Sequence, residues 1–390
     1  MEIADLCHNS DCCDVRGDHG LQDRLGLRSL FSMKDKAISL LKRLTEAHSV
    51  PGYEAEVRDI FVAELESEGK VSADKMGGVY CERGEGPTVL LAGHMDEVGF
   101  RVQHITADGF LKFLPVGGWW THTLLSQRVE VMTREGGKVL GVIASKPPHF
   151  LPESERSKVM ALGALFIDIG AQSREEVERI FGIRIGDPIA PAVPFTAMQK
   201  EDYYMAKAFD NRVGMACAIQ TFQELAGEQA ACKLVAAGTV QEEVGLRGAK
   251  AAAEKVRPDV AIVLEGPPAD DAPGFPKSES QGKLGGGVQI RMQDPTAIMN
   301  PALVDLAIEV AEREGIRYQL TMRNSGGTDA GTFNQANEGV PSIVLGTPAR
   351  YIHSHNAIID INDYLEMVRL SKALVCALGA DAVAGLTDYL

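Results

Sequence analysis

The chain has 390 residues, 45% hydrophobic and 24% charged, and a formal net charge of −15. That length suggests two domains rather than one core, and the composition is that of a soluble globular protein. The acidic balance argues against nucleic acid or an anionic membrane as partner, and no run approaches the ~18 apolar residues of a transmembrane helix.

Residues 1–32 contain Cys7, His8, Cys12 and Cys13 but little apolar periodicity. Their spacing matches no standard zinc finger, so a disordered extension is expected. The basic start and apolar middle of a secretory signal are lacking. The seven cysteines are odd in number and show no framework spacing, which reads as reduced thiols in a cytoplasmic protein. From Met33 the pattern changes. Ile38, Leu40, Leu41 and Leu44 make one helical face that should end near Pro51 and Gly52. Residues 53–69 read as a second helix, and residues 71–83 as a strand pair turning at Gly77-Gly78.

Thr88-Val89-Leu90-Leu91-Ala92 is a short buried strand that runs into Gly93-His94-Met95-Asp96. In an open α/β sheet, chemistry collects beyond the carboxyl ends of the strands. His94 is expected there, with Asp96 placed to hold its other ring nitrogen. Residues 102–199 alternate over short stretches, such as Arg128-Val129-Glu130-Val131-Met132, between glycine turns. That pattern predicts a small β-domain, with one helix over residues 173–181. His104, His122 and His149 read as surface or interface residues, and Trp119-Trp120 as packing. The α/β pattern resumes at Ala208-Phe209-Asp210-Asn211, which places Asp210 near a helix N-terminus where an anion is favoured.

Residues 234–237 read as another buried strand, followed by Thr239-Val240-Gln241-Glu242-Glu243. Two adjacent carboxylates beyond a buried strand repel each other and lose hydration, a cost that a cation would offset. The strand at 260–264 ends in Glu265, residues 266–283 form a long surface loop, and Asn300-Pro301 opens a well-signalled helix. Gly326-Gly327-Thr328-Asp329 lacks the lysine of a phosphate loop, so nucleotide binding is rejected there. A last apolar strand at 341–346 leads to Arg350-Tyr351-Ile352-His353-Ser354-His355, and a terminal helix covers 362–380.

His94, Asp210, Glu243, Glu265 and His353 thus gather where ligands bind. Two histidines and three carboxylates can hold two divalent cations, and nitrogen and oxygen donors without thiolate suit zinc, cobalt or manganese. Glu242 is left as a general base.

From Met33 onward the chain resembles the co-catalytic metallo-aminopeptidases of the tetrahedral-particle (TET) type, which include glutamyl and deblocking enzymes and some members labelled endoglucanase. Four motifs carry the likeness: those around His94, Asp210, Glu242-Glu243 and His353. The resemblance implies a mixed-sheet α/β zinc-peptidase-like catalytic domain (residues 33–101 and 200–390) with an inserted β-barrel-like dimerisation domain (102–199). It implies that His94 and Glu265 bind one metal, Glu243 and His353 the second, and that Asp210 bridges. Asp96 would orient His94, and Glu242 would act as general base on water held by the two metals. The family more often has Asp where this chain has Glu265, and His355 ranks second to His353 as ligand. The implied reaction is removal of the first residue of short peptides, by dimers that assemble into a twelve-subunit particle. A glycoside hydrolase, or a non-catalytic binding protein on the same scaffold, are the rivals.

Overall fold

A computed structural model describes residues 19–228 and 230–390. Eight strands form one mixed sheet in the order Lys70–Ala73, Val79–Arg83, Lys233–Thr239, Thr88–His94, Val260–Glu265, Ser342–Gly346, Val288–Gln293 and Tyr318–Met322. The four strands from Lys233–Thr239 to Ser342–Gly346 are mutually parallel, and antiparallel pairings flank them on both sides. These central strands are apolar along nearly their whole length and buried on both faces, as expected where helices cover a parallel sheet. Helix Phe209–Glu224 packs on Thr88–His94 and Val260–Glu265, and carries helices His19–Glu46 and Ile361–Ala377 against it.

The predicted β-domain is a closed six-stranded barrel built from residues 99–191, in the strand order Gly99–Ile105, Leu111–Val116, Phe166–Asp168, Lys138–Ala144, Arg128–Met132 and Pro188–Pro191. Alternate residues, including Phe100, Val102, Leu111, Phe113, Val129, Val131 and Ile189, fill its interior, the two-residue period of half-buried strands. The predicted helix in this domain is Arg174–Arg179, capped by the Ser173 side chain on the Glu176 N–H. A separate three-stranded sheet joins Thr196–Ala197 and Tyr203–Ala206 to Ala357–Asp360.

Three expectations differ from what is observed. The first helix begins at His19, so the backbone of residues 19–32 is helical, while residues 1–18 lie outside the described residues. No proline occurs before Pro51, and extending a nucleated helix costs little. Trp119 packs as expected, but Trp120 is 65% exposed. The barrel begins at Gly99, three residues earlier than the change in sequence pattern. Among the described residues, no helix is long and apolar enough to cross a membrane.

Candidate metal centre

Each of the four parallel strands delivers a chemical group at its C-terminal end. Thr88–His94 ends on His94. Thr239 lies opposite His94 in the next strand, and the chain continues from it to Glu242 and Glu243. Val260–Glu265 ends on Glu265, opposite Gly346, from which the chain runs on to His353. Asp210 comes from the irregular first turn of helix Phe209–Glu224, where Asp210 and Asn211 have non-helical backbone angles. That helix lies close to the sheet because two glycines permit it. A Cβ on Gly93 would stand 2.7 Å from the Gly214 carbonyl carbon, and one on Gly214 only 2.1 Å from the Leu264 oxygen. The Asn211 amide locks the contact by donating to Leu264 O at 2.7 Å.

Asp210 sits between the two imidazoles. Its Oδ1 is 3.2 Å from His94 Nε2 and its Oδ2 is 3.4 Å from His353 Nε2. His353 Nε2 is also 3.4 Å from Glu243 Oε1, while His94 Nε2 is 3.9 Å from both Glu242 Oε2 and Glu265 Oε2. Ligand atoms of His94, Glu242 and Glu265, and again of His94, Asp210 and Glu243, lie within 4.8 Å of one another. Glu243 Oε1 and Glu265 Oε1 are buried without a hydrogen-bond partner among the described residues. Buried carboxylate oxygens of that kind are costly unless a cation meets them. The donor set is nitrogen and oxygen only, so these residues fit a divalent cation of the zinc, cobalt or manganese type.

Comparison with known proteins is decisive on kinship. The model of the M42 glutamyl aminopeptidase family matches residues 61–370. The chain belongs to that family. A glutamyl aminopeptidase of Lactococcus lactis is 34% identical over 355 residues, covering 90% of this chain and 98% of its own length. A TET aminopeptidase from a marine sediment archaeon of the Thaumarchaeota has a TM-score of 0.88 at 41% identity, covering 90% of this chain and 99% of its own. The TET1 peptidase of Pyrococcus horikoshii, which can assemble into a tetrahedron or a large octahedral shell, has a TM-score of 0.77 at 31% identity and covers 87% and 99%. The M42 chain is therefore an aminopeptidase, a hydrolase acting on peptide bonds.

Without a cation, the electrostatics of this M42 centre are unbalanced. Burial, with Asp210 close by, pushes Glu243 up to about 7, and burial pushes Glu265 up to about 8. Burial also raises Glu242, and His94 only partly opposes it. The histidines move the other way. Burial disfavours the imidazolium of His353, but Asp210 and Glu243 outweigh it and raise the ring to about 9. At Asp210 burial is likewise outweighed, here by hydrogen bonds from His353 and His94, and its carboxyl is held below the usual range. Crowded carboxylates that retain protons near neutrality would lose them to a bound cation.

All seven residues singled out in the sequence converge here, though Asp96 acts differently from expectation. His94 Nδ1 is 3.0 Å from the main-chain oxygen of Asp96, not its carboxylate, which is 3.6 Å away. That carboxylate accepts from the N–H groups of Glu242 and Glu243 instead. His355 is not with the ligands. It is buried with its ring 5.5 Å from that of Trp119. His104, His122 and His149 are exposed, as expected.

Two residues of this M42 site escaped the sequence reading. Asp329, from the glycine loop, is buried and accepts from Thr239 Oγ1 at 2.5 Å; burial raises its carboxyl to about 6. Arg291 lines the cavity beside the cluster. Nothing in its strand, Val288–Gln293, distinguishes it from a surface arginine before the fold is known.

Proposed function

We propose that this M42 aminopeptidase releases N-terminal residues from short peptides at a dinuclear centre. His94 and Glu265 would hold one divalent cation (zinc, cobalt or manganese), Glu243 and His353 the second, and Asp210 would bridge them. The observation that carries this reading is the position of Asp210, with one oxygen turned to each imidazole. When bound, such cations supply Lewis acidity at the scissile carbonyl and lower the pKa of water.

The protein's own groups do the rest. Glu242 takes a proton from the attacking water as oxygen adds to the carbonyl carbon. It returns that proton to the nitrogen as the C–N bond breaks, leaving a free amino acid and a peptide one residue shorter. Asp96 fixes the main chain of Glu242 and Glu243 and so the direction of both side chains. The cavity in front of the cluster has a volume of about 400 Å³.

Arg291 supports an acidic preference at the first position. It lines this cavity and is buried; its Nη1 meets Asp294 at 3.1 Å, and its Nε has no partner among the described residues. A guanidinium at the cavity wall suits a carboxylate. The test is a panel of aminoacyl anilides with and without chelator. Glutamyl and aspartyl substrates should be cleaved best, a chelator should abolish turnover, and cellulose should not be hydrolysed. Arg291→Met should reduce turnover of acidic substrates at least tenfold relative to leucyl ones. Equal loss on both would remove the acidic preference, and chelator-resistant turnover would remove the metal centre.

Assembly beyond the dimer, into a twelve-subunit particle, is part of the same proposal. Exposed apolar residues of the barrel, including Phe150, Trp120 and Leu140, support burial against other copies.

A further inference from the structure

The barrel reaches the metal centre through the loop that follows strand Leu111–Val116. This loop carries Gly117, Gly118 and Trp119. The carbonyl oxygen of Gly118 lies 3.0 Å from His353 Nδ1. A carbonyl only accepts, so Nδ1 carries a proton, and in the neutral ring that binds a cation Nε2 is then bare. Nε2 is the atom that faces Asp210 and Glu243.

Both glycines are closely fitted. A Cβ on Gly118 would stand 3.2 Å from His353 Nδ1 and 3.6 Å from its Cε1, and would meet nothing else within 4 Å among the described residues. Gly117 has φ +81°, and a Cβ there would meet Val98 Cγ1 at 2.6 Å and Glu243 Oε2 at 3.3 Å. The two proposed ligands of the second cation therefore both rest on this glycine pair. His353 itself has φ +54°. Few residues other than glycine adopt the left-handed region, although histidine enters it more often than most, and such a conformation persists where the surroundings hold it. Trp119 anchors the loop in the barrel. Its Nε1–H donates to Gly99 O at 3.0 Å, and its ring stacks on Phe100 with centroids 4.7 Å apart. The same ring also meets that of His355, two residues beyond His353, with centroids 5.5 Å apart.

We infer that the Gly117-Gly118 loop of the barrel is a positioning element of the metal centre: the Gly118 carbonyl fixes the tautomer of His353 and aims Nε2 at the second cation. This rests on the dinuclear reading, and the experiment separates the two. Full-length protein is stripped with chelator and titrated with cobalt(II) by calorimetry. Wild type should bind two equivalents. Gly118→Ala should bind the first normally and the second about 10- to 100-fold more weakly, the usual cost of losing a partner of a ligand histidine. Its metal-free melting temperature should be unchanged, since among the described residues the new methyl meets only the His353 ring. Gly163→Ala, whose Cβ would meet nothing within 4 Å, should bind like wild type. Nδ-methylhistidine at position 353, which keeps Nε2 and removes the donor, should reproduce the weak second site. In a His353→Ala background, Gly118→Ala should add no further loss. If Gly118→Ala and the methylated histidine both bind two equivalents normally, or the loss is equal in the His353→Ala background, the inference falls alone. If wild type binds one equivalent, the dinuclear reading falls and takes the inference with it.

Discussion

The carboxylate of Asp96 accepts the main-chain N–H of Glu242 at 3.0 Å through one oxygen and that of Glu243 at 3.1 Å through the other. Asp96 thereby ties the exit of the His94 strand to the exit of its parallel neighbour. Its own main-chain oxygen meets His94 Nδ1, so one residue sets the direction of three side chains at the centre.

Asp96→Asn tests that role. Asparagine offers one oxygen, and its amide group would face an N–H that then has no acceptor. A buried donor without a partner costs about 1–3 kcal/mol, so the melting temperature should fall. Turnover should fall about 10- to 100-fold, the range found for groups that hold metal ligands in place. Steady-state kinetics and metal analysis on the same preparation check this; an Asn variant with wild-type turnover would show that the amides of 242 and 243 need no anchor.

Beneath the centre lies a buried charge network. Glu97 accepts from Lys207 Nζ at 2.5 and 2.8 Å and from Arg212 Nη2 at 3.1 Å, while Lys207 also meets Ala47 O and Arg212 meets the main-chain oxygens of Leu44 and Met95. Burial depresses Lys207 to about 8, against the attraction of Glu97. Removing one member leaves the others short of a partner, at a cost of roughly 3–5 kcal/mol. Lys207→Met should therefore lower the denaturation midpoint clearly. An unchanged midpoint would mean that the network carries no stability.

These relationships explain what could be read from the sequence and what could not. The four strand ends were legible because fully buried parallel strands are unbroken apolar runs, and a histidine or glutamate at the end of such a run stands out. Arg212 was visible only as part of the Asp210 motif. Its partners at 44, 95 and 97 are far away in the chain, and no local pattern reports them. Asp329 was read only as part of a glycine loop, since its hydrogen bond to Thr239 spans 90 residues. His353 and His355 could not be separated by spacing. Left-handed backbone at Tyr351 and His353 sends one ring to the cluster and leaves the other packed on Trp119.

His48 should make the protein acid-sensitive. It is buried, and its Nε2 lies 2.8 Å from Glu130 Oε2 of the barrel. A carboxylate so close would favour the imidazolium. Burial, then the Lys207, Lys138 and Arg212 cations, outweigh it and push His48 from 6.5 to about 2. Below pH 6.5 the unfolded chain takes up a proton here that the folded protein refuses. The stability is thus intact above that pH and is lost progressively as pH falls toward 2. His48→Gln keeps a donor for Glu130 and cannot titrate. Urea denaturation between pH 6 and 4 should give the variant a shallower loss of stability, by at most about 1.4 kcal/mol per pH unit. Parallel curves would show that His48 is protonated in the folded state.

The two glutamates at the centre are predicted to fail differently. Glu242→Gln keeps the shape and removes the proton acceptor. Metal content should stay near normal while turnover falls by about 10²–10⁴-fold, the usual contribution of a positioned base. Glu243→Gln removes a charged ligand that faces His353 at 3.4 Å. Cation affinity should fall first, and excess zinc, cobalt or manganese should restore part of the activity. Distance alone does not divide these roles, because Glu242 is as near to His94 as Glu265 is, at 3.9 Å. The difference lies in what surrounds them. Glu243 turns Oε1 to His353 and lies with His94 and Asp210, and that oxygen has no hydrogen bond among the described residues; Glu242 lies instead with His94 and Glu265. Metal stoichiometry and turnover are measured for both variants across a metal titration. If Glu242→Gln loses its metal while Glu243→Gln keeps metal and is inactive, the roles are reversed. Full activity in both would remove the co-catalytic centre from the mechanism.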